Sequence, residues 1–300
     1  MSSYHTPVLL DESVSALAIA PSGVYLDATF GGGGHSREIL SRMDEKSRLL
    51  AFDRDIDALN NAPKDNRLIL IHNNFRFIQN YVHFNGFDFV DGILADLGVS
   101  SHQFDTEERG FSFRFEASLD MRMNQSAKTT ATDIVNSYTE EELIRIMSNY
   151  GEIENCKRVA QLICKSRENG VVKTTSDLNK VLAPVLPKYA EHKYLAKVYQ
   201  ALRIEVNGEM KALDGFLDGT VKVLRPGGRL VVITYHSLED RMVKNFMRSG
   251  NIDGVIEKDF YGNIRSPFTA VTKKPVTPSE EEIANNTRAR SAKLRVVKKI

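Results

Sequence analysis

Four consecutive glycines, Gly31, Gly32, Gly33 and Gly34, separate a strand-like run from a helix-like one, and few folds accommodate that order. The preceding Val24-Tyr25-Leu26-Asp27-Ala28-Thr29-Phe30 has the β-branched and aromatic content of a buried strand. The glycines remove every Cβ where the chain must turn and let a ligand reach the backbone. Beyond them, from Ser36 onward, Ile39, Leu40 and Met43 recur at helical spacing. A second strand, Arg48-Leu49-Leu50-Ala51-Phe52, ends at Asp53, nineteen residues after Gly34. An acidic residue about twenty positions past a glycine loop is where a doubly wound α/β fold holds a ribose diol. The run therefore predicts a cofactor that contains a nucleoside.

The loop does not suit a dinucleotide. A G-x-G-x-x-G fingerprint places three glycines around a pyrophosphate, but the third would fall here on Ser36 or Arg37. Asp27, at the end of the first strand, would repel a pyrophosphate and favours a cationic ligand. S-adenosylmethionine carries a sulfonium, an ammonium and a ribose diol but no phosphate, so it is preferred to NAD. An NAD-dependent oxidoreductase is the rival that the missing glycine disfavours.

Composition sets broad bounds. Three hundred residues, with 42% hydrophobic and 26% charged, are ordinary for a soluble globular protein. No apolar run reaches the length of a membrane span, and no basic stretch followed by an apolar one resembles a signal peptide. Cys156 and Cys164, eight apart in a helical segment, fit neither a zinc site nor a disulfide framework. A reducing cytoplasm, no membrane partner and no metal are expected. The net charge of +1 is uninformative, but Arg288, Arg290, Lys293, Arg295, Lys298 and Lys299 cluster near the C-terminus.

Strands are expected at 24–29, 49–53, 68–72 and 89–97, with helices between them at 37–43, 57–62 and 77–84. That alternation implies a parallel sheet with right-handed crossovers. It then stops. From about Thr106 to Lys193 the patterns are helical, with Leu143, Ile144, Met147 and Tyr150 on one face and Val159, Leu162 and Ile163 on another. A long helical stretch from Tyr194, jogging at Asn207-Gly208, leads to the turn Arg225-Pro226-Gly227-Gly228 and a strand at 229–235. Two weaker strands are expected near 255–258 and 293–297, and 275–282 reads as an exposed linker. The sequence thus predicts a Rossmann-like α/β domain, residues 1–105 and 194–300, interrupted by a helical insertion, residues 106–193.

Ligands sit at the carboxyl ends of strands in such a sheet. Those ends are Asp27 with the glycine loop, Asp53, Asn73-Asn74-Phe75, Asp96-Leu97-Gly98-Val99-Ser100-Ser101 and Tyr235-His236-Ser237. Asp53 would hold a ribose, Phe75 would stack on adenine, and Gly33, Gly34 and His35 would meet the methionine part of the donor. Asp96, with the carbonyls of Leu97 and Gly98, suits an acceptor amine, whose conjugated lone pair is freed when its N–H groups are hydrogen-bonded. His236 would accept a proton or bind the acceptor, although a helix cap formed by Ser237 with Asp240 also explains that neighbourhood. Pyrimidine C5 chemistry needs a cysteine nucleophile, and neither cysteine lies at a strand end.

Taken together, these residues resemble the bacterial 16S rRNA cytosine-N4 methyltransferase family, RsmH or MraW. The likeness runs nearly end to end. It includes His5-Thr6-Pro7-Val8-Leu9-Leu10, Thr29-Phe30-Gly31, Gly33-Gly34-His35-Ser36, Asp53-Arg54-Asp55, Asp96-Leu97-Gly98-Val99-Ser100-Ser101 and Glu108-Arg109-Gly110-Phe111-Ser112. It continues through Leu119-Asp120-Met121-Arg122-Met123, Gln200-Ala201-Leu202-Arg203-Ile204, His236-Ser237-Leu238-Glu239-Asp240-Arg241 and Arg288-Ala289-Arg290-Ser291. Departures are His102 and Thr287, each in place of a common proline, and a short segment between Phe246 and Pro275.

The resemblance implies a class I S-adenosylmethionine-dependent fold with a helical insertion. The substrate it implies is a decoding-centre cytidine of 16S rRNA in the small ribosomal subunit, methylated on N4. Cofactor contacts would fall on Gly33, Gly34, His35, Asp53, Phe75, Asp96 and Gln103. Arg109, Arg114, Arg122 and Arg203, with Arg288 and Arg290, would grip the phosphate backbone. The rivals are a methyltransferase for a small molecule or protein, and an RNA-binding or assembly protein that holds the cofactor without turnover. The sequence leaves a monomer and a homodimer both open.

Overall fold

Among the described residues the strands are β1 (Val24–Asp27), β2 (Arg48–Asp53), β3 (Leu68–His72), β4 (Val90–Asp96), β5 (Leu224–Thr234), β6 (Phe268–Ala270) and β7 (Lys293–Lys299). The computed structural model describes residues 7–60, 62–100, 104, 106–262 and 264–300. The strands make one sheet in the order β3-β2-β1-β4-β5-β7-β6. β3, β2, β1, β4 and β5 are mutually parallel, whereas β7 runs antiparallel to both β5 and β6. This is the doubly wound class I sheet that the resemblance implies. The chain moves outward from β1 to β2 and β3, then returns to β4 on β1's other side. The carboxyl ends of β1 and β4 therefore flank a topological switch point, where such sheets bind ligands.

The helices are α1 (Leu10–Ala16), α2 (Gly34–Arg42), α3 (Ile56–Leu59), α4 (Ile78–Phe84), α5 (Ala131–Ser137), α6 (Glu140–Asn149), α7 (Cys156–Arg167), α8 (Thr175–Leu182), α9 (Glu191–Asn207), α10 (Glu209–Val223), α11 (Ser237–Ser249) and α12 (Glu280–Asn285). Alternate strand residues face opposite ways, so the sheet builds two cores. On one face Leu26, Phe52, Ile93 and Val232 pack with Phe216, Leu217, Val243 and Phe246. On the other Tyr25, Leu49, Leu94, Val231 and Ile233 pack with Val14, Leu17, Ile39 and Leu40.

The chain divides into two compact units: one comprises Met1–Gly98 with Met210–Ile300, the other Val99–Glu209. In the second unit, capping boxes start α5, α6 and α8, formed by Thr130 with Asp133, Thr139 with Glu142 and Thr174 with Asp177. Each cap satisfies helix-end N–H groups and contributes about 1 kcal/mol. The unit has its own core, where Leu143, Ile146, Met147, Val159, Ile163 and Leu178 meet.

Several boundaries differ from the sequence reading. The helical unit reaches Glu209 rather than residue 193, because Leu195, Val198, Leu202 and their neighbours on α9 are buried in its core. The turn at 225–228 is a bulge inside β5: Leu224 pairs with Val90 and Arg229 with Gly92, and the chain between them loops out. No strand forms at 255–258, where Lys258 makes an isolated bridge to Ile264. The added strand is β6, which follows Pro267. Residues 275–282 are not a free linker. Val276 bridges to Leu294, α12 begins within the segment, and Glu282 Oε1 accepts the Leu9 N–H at 2.7 Å.

Candidate active site

The glycine loop is pinned from beneath. Asp27 is fully buried at the end of β1, where its Oδ2 accepts the Ser36 hydroxyl at 2.6 Å and its Oδ1 accepts the Thr29 N–H at 3.0 Å. Burial pushes the carboxyl above its ordinary range, against those hydrogen bonds and the His35 ring. Asp27 therefore braces the turn and does not meet a ligand, which corrects its expected role toward a cation. Gly31 and Gly33 adopt φ of 52° and 74°, left-handed values that suit glycine. The need at Gly34 is different. A Cβ there would lie 2.1 Å from Pro7 Cγ, so the glycine admits the N-terminal segment against the start of α2.

Asp53 ends β2 partly exposed. Its Oδ2 accepts the Gly31 N–H and its Oδ1 the Asp55 N–H, at 2.7 and 2.8 Å. One carboxylate thus couples the glycine loop to the second strand. Each of its oxygens can accept a further hydrogen bond. Phe75, just past β3, is half-buried and meets Phe216 edge-on with ring centroids 5.2 Å apart.

At the end of β4, the Asp96 N–H donates to Thr29 Oγ1 at 2.7 Å. Its Oδ1 accepts the Tyr235 hydroxyl at 2.7 Å, and its Oδ2 lies 3.8 Å from His35 Nδ1. Desolvation raises the Asp96 carboxyl to about 7, with Glu239 adding to the rise and the Tyr235 hydroxyl opposing it. Still, 23% of the side chain is open to solvent. His35 is buried, its Nε2 is 3.2 Å from the Val8 carbonyl, and desolvation pushes its pKa down. Its side chain is packed into the protein, so only its backbone and its face toward Asp96 are available to a donor.

His236 caps α11 itself, its Nδ1 accepting the Glu239 N–H at 3.5 Å, one position before the cap expected at Ser237. Its Nε2 is 3.0 Å from Glu239 Oε1. Glu239 is buried, and its Oε2 accepts the Tyr235 N–H at 3.1 Å. Tyr235 and Glu239 were assigned no role in the sequence reading. The only available signal was that Tyr235 ends a strand beside His236. Gln103 lies outside the described residues.

These groups fit a cationic nucleoside cofactor. Asp53 and Asp96, at the ends of β2 and β4, have carboxyls raised by burial. A cation placed near them offsets that desolvation, whereas a pyrophosphate would deepen it.

The arginines divide into two kinds. In the helical unit, Arg122 grips Asp120 through Nε and Nη2 at 2.7 and 2.6 Å and donates through Nη1 to the Gln125 and Ala127 carbonyls. Arg109 donates to the carbonyls of Arg122 and Met123. Arg203 makes a two-pronged pair with Glu209 at 2.8 and 2.9 Å. These three guanidiniums are engaged in holding their own unit together. Arg114, Arg288 and Arg290 are exposed.

The MraW methylase family matches the chain over residues 2–300. The chain belongs to that family. Family members are S-adenosylmethionine-dependent methyltransferases. Among its relatives is a protein of Parabacteroides distasonis named ribosomal RNA small subunit methyltransferase H. It is 53% identical over 300 residues, covering 100% of this chain and 98% of that one. A protein of the same name from Bacteroides thetaiotaomicron is 54% identical over 296 residues, covering 99% and 97%. Another from Flavobacterium johnsoniae is 52% identical over 297 residues, covering 99% and 98%.

Proposed function

We propose that this methylase transfers a methyl group from S-adenosylmethionine to the exocyclic N4 amine of a decoding-centre cytidine in 16S rRNA, within the small ribosomal subunit. The observation that carries the reading is Asp96. Its carboxyl stands at the switch point, held through one oxygen by Tyr235, with its side chain open to solvent over 23%. The names of the relatives support a small-subunit rRNA substrate. The cytidine and its N4 atom come from the resemblance.

When bound, S-adenosylmethionine supplies a methyl group already activated on a sulfonium. Asp53 would accept the ribose hydroxyls, Phe75 would stack on the adenine, and Gly33, Gly34 and His35 would meet the methionine part, with Gln103 a further cofactor contact that the resemblance implies. Alignment and exclusion of water are then the protein's main tasks. Asp96 Oδ2 accepts an N–H of the acceptor amine, which frees the conjugated lone pair for in-line attack. The amine would take the methyl group as its bond to the sulfonium sulfur breaks, leaving a neutral thioether, and the surplus proton on the nitrogen would pass to Asp96. His236, the cap of α11, would accept a proton or bind the acceptor.

Reading a lone cytidine requires it to be splayed from its helix, with its Watson–Crick edge hydrogen-bonded. We assign that recognition to the end of β4, Asp96-Leu97-Gly98, and phosphate contacts to the exposed Arg114, Arg288 and Arg290. A bacterial rRNA enzyme of this kind works in the cytoplasm. Asp96→Ala tests the reading with small subunits and methyl-labelled donor. Transfer is lost while the thermal transition and circular dichroism persist. Undiminished transfer overturns it.

A further inference from the structure

We propose that the Tyr235 hydroxyl is a positioning group for this reaction: by donating to Asp96 Oδ1 it fixes the carboxylate so that Oδ2 is the oxygen presented to the acceptor amine. The inference rests on the reading of Asp96 given above.

Asp96 is anchored at three points. Its backbone lies on β4 in register with Ile233 of β5, and its N–H donates to Thr29 Oγ1. Its Oδ1 takes the Tyr235 hydroxyl at 2.7 Å. Tyr235 is itself held, since its N–H donates to the buried Glu239 carboxylate at 3.1 Å. Its ring lies over Gly98, where an added Cβ would sit 3.4 Å from Tyr235 Cδ2. A carboxylate bonded through one oxygen and anchored through its backbone has little freedom to swap its two oxygens.

Oδ2 is left available by the chemistry of His35. The His35 ring is buried, and burial favours its neutral form. With Nε2–H donating to the Val8 carbonyl at 3.2 Å, Nδ1 carries a lone pair and cannot donate to Oδ2, 3.8 Å away. Asp96 Oδ2 therefore has no hydrogen bond among the described residues and keeps its acceptor capacity for a substrate N–H.

The same bond sets the charge on Asp96. The titratable groups around the carboxyl are Asp27 on β1, His35 on α2, Glu239 on α11 and Tyr235 after β5. Burial and Glu239 push the carboxyl up, and the Tyr235 hydroxyl is what pulls it down. Tyr235 is itself driven well above its ordinary value by burial and by Asp96, so it stays protonated and able to donate at every working pH. Glu282 also bears on Tyr235 in the same upward sense.

Tyr235→Phe keeps the ring and removes the donor. Two readouts apply. The ¹³C carboxyl resonance of Asp96, followed against pH in the donor-free protein, reports ionisation without any turnover. The pH profile of kcat/KM on small subunits reports its use. Loss of the donor is expected to raise the carboxyl midpoint by about one pH unit and to move the acid limb of kcat/KM upward by a similar amount. Activity then falls about tenfold below the wild-type midpoint and recovers at high pH. An unmoved midpoint overturns the proposal. So does a uniform loss of kcat/KM at all pH values, which marks a merely structural role, and so does a shifted midpoint with an unshifted profile. Asp96→Asn separates the two claims. Full activity in that variant overturns the reading of Asp96 itself, while the carboxyl titration of Tyr235→Phe still reports on the hydrogen bond.

Discussion

The Ser36 hydroxyl donates to Asp27 Oδ2 at 2.6 Å, and both side chains are sealed from solvent. The bond ties the first turn of α2 to the end of β1 beneath the glycine loop. Ser36→Ala leaves a buried carboxylate with one partner fewer. Removing a partner from a buried charged group costs on the order of 2–3 kcal/mol. The expected result is a lower thermal midpoint by calorimetry together with weaker donor binding by titration calorimetry. An unchanged midpoint would show that the loop does not depend on this brace.

Gly34→Ala tests the packing at the helix start. The added methyl would overlap Pro7 Cγ, which lies 2.1 Å from the ideal Cβ position. Overpacking of this kind costs about 1–3 kcal/mol and must displace the N-terminal segment. Limited proteolysis should then cut near Pro7 faster than in the wild type. Equal cutting rates would contradict the contact.

Asp96 makes the donor-free protein less stable as pH rises. Its carboxyl titrates at about 7 when folded, against a reference value of 3.8. Between those values the native state binds the extra proton, so stability falls as pH climbs from about 4 to about 7 and is level above that. Asp96→Asn should therefore raise the melting temperature at pH 8 and change it little at pH 4. Because water reaches part of the side chain, the gain is on the order of 1–3 kcal/mol. A variant that melts earlier at pH 8 would contradict the account. If it is also inactive, as the proposed function requires, a stability–activity trade-off is located at one residue.

The two classes of arginine should separate cleanly. Arg122→Ala removes four hydrogen bonds inside the helical unit and should lower its stability by about 2 kcal/mol. Arg114→Ala or Arg290→Ala, both at exposed positions, should leave melting unchanged. Each should weaken binding to small subunits and reduce the salt dependence of that binding by about one ion. Filter binding across a salt series checks this. Unaltered salt dependence in both exposed variants would remove them from the RNA interface.

The sheet was largely legible in the sequence because its parallel strands are continuous apolar runs, as at Leu49-Leu50-Ala51-Phe52. β6 escaped because three residues after a proline carry no periodic signal. α1 escaped because it follows Leu9, at φ of 51°, with no side-chain cap. α9 was legible as a helix, but a helical stripe does not say which core it enters. At the site, the strand-end carboxylates were legible from spacing. What the sequence could not supply were the partners. Asp27 reads alike whether it faces a ligand or Ser36, and Arg203 whether it faces a phosphate or Glu209. Tyr235 reads as strand core until its hydroxyl is placed on Asp96.

The central claim is tested most directly with small ribosomal subunits from cells that lack this gene. They are incubated with the protein and methyl-labelled S-adenosylmethionine, the RNA is digested, and the nucleosides are identified by mass spectrometry. The account predicts label in N4-methylcytidine at a single decoding-centre position, absent with Asp96→Ala. Label in a different nucleoside, or none in RNA while the donor demonstrably binds, would contradict it.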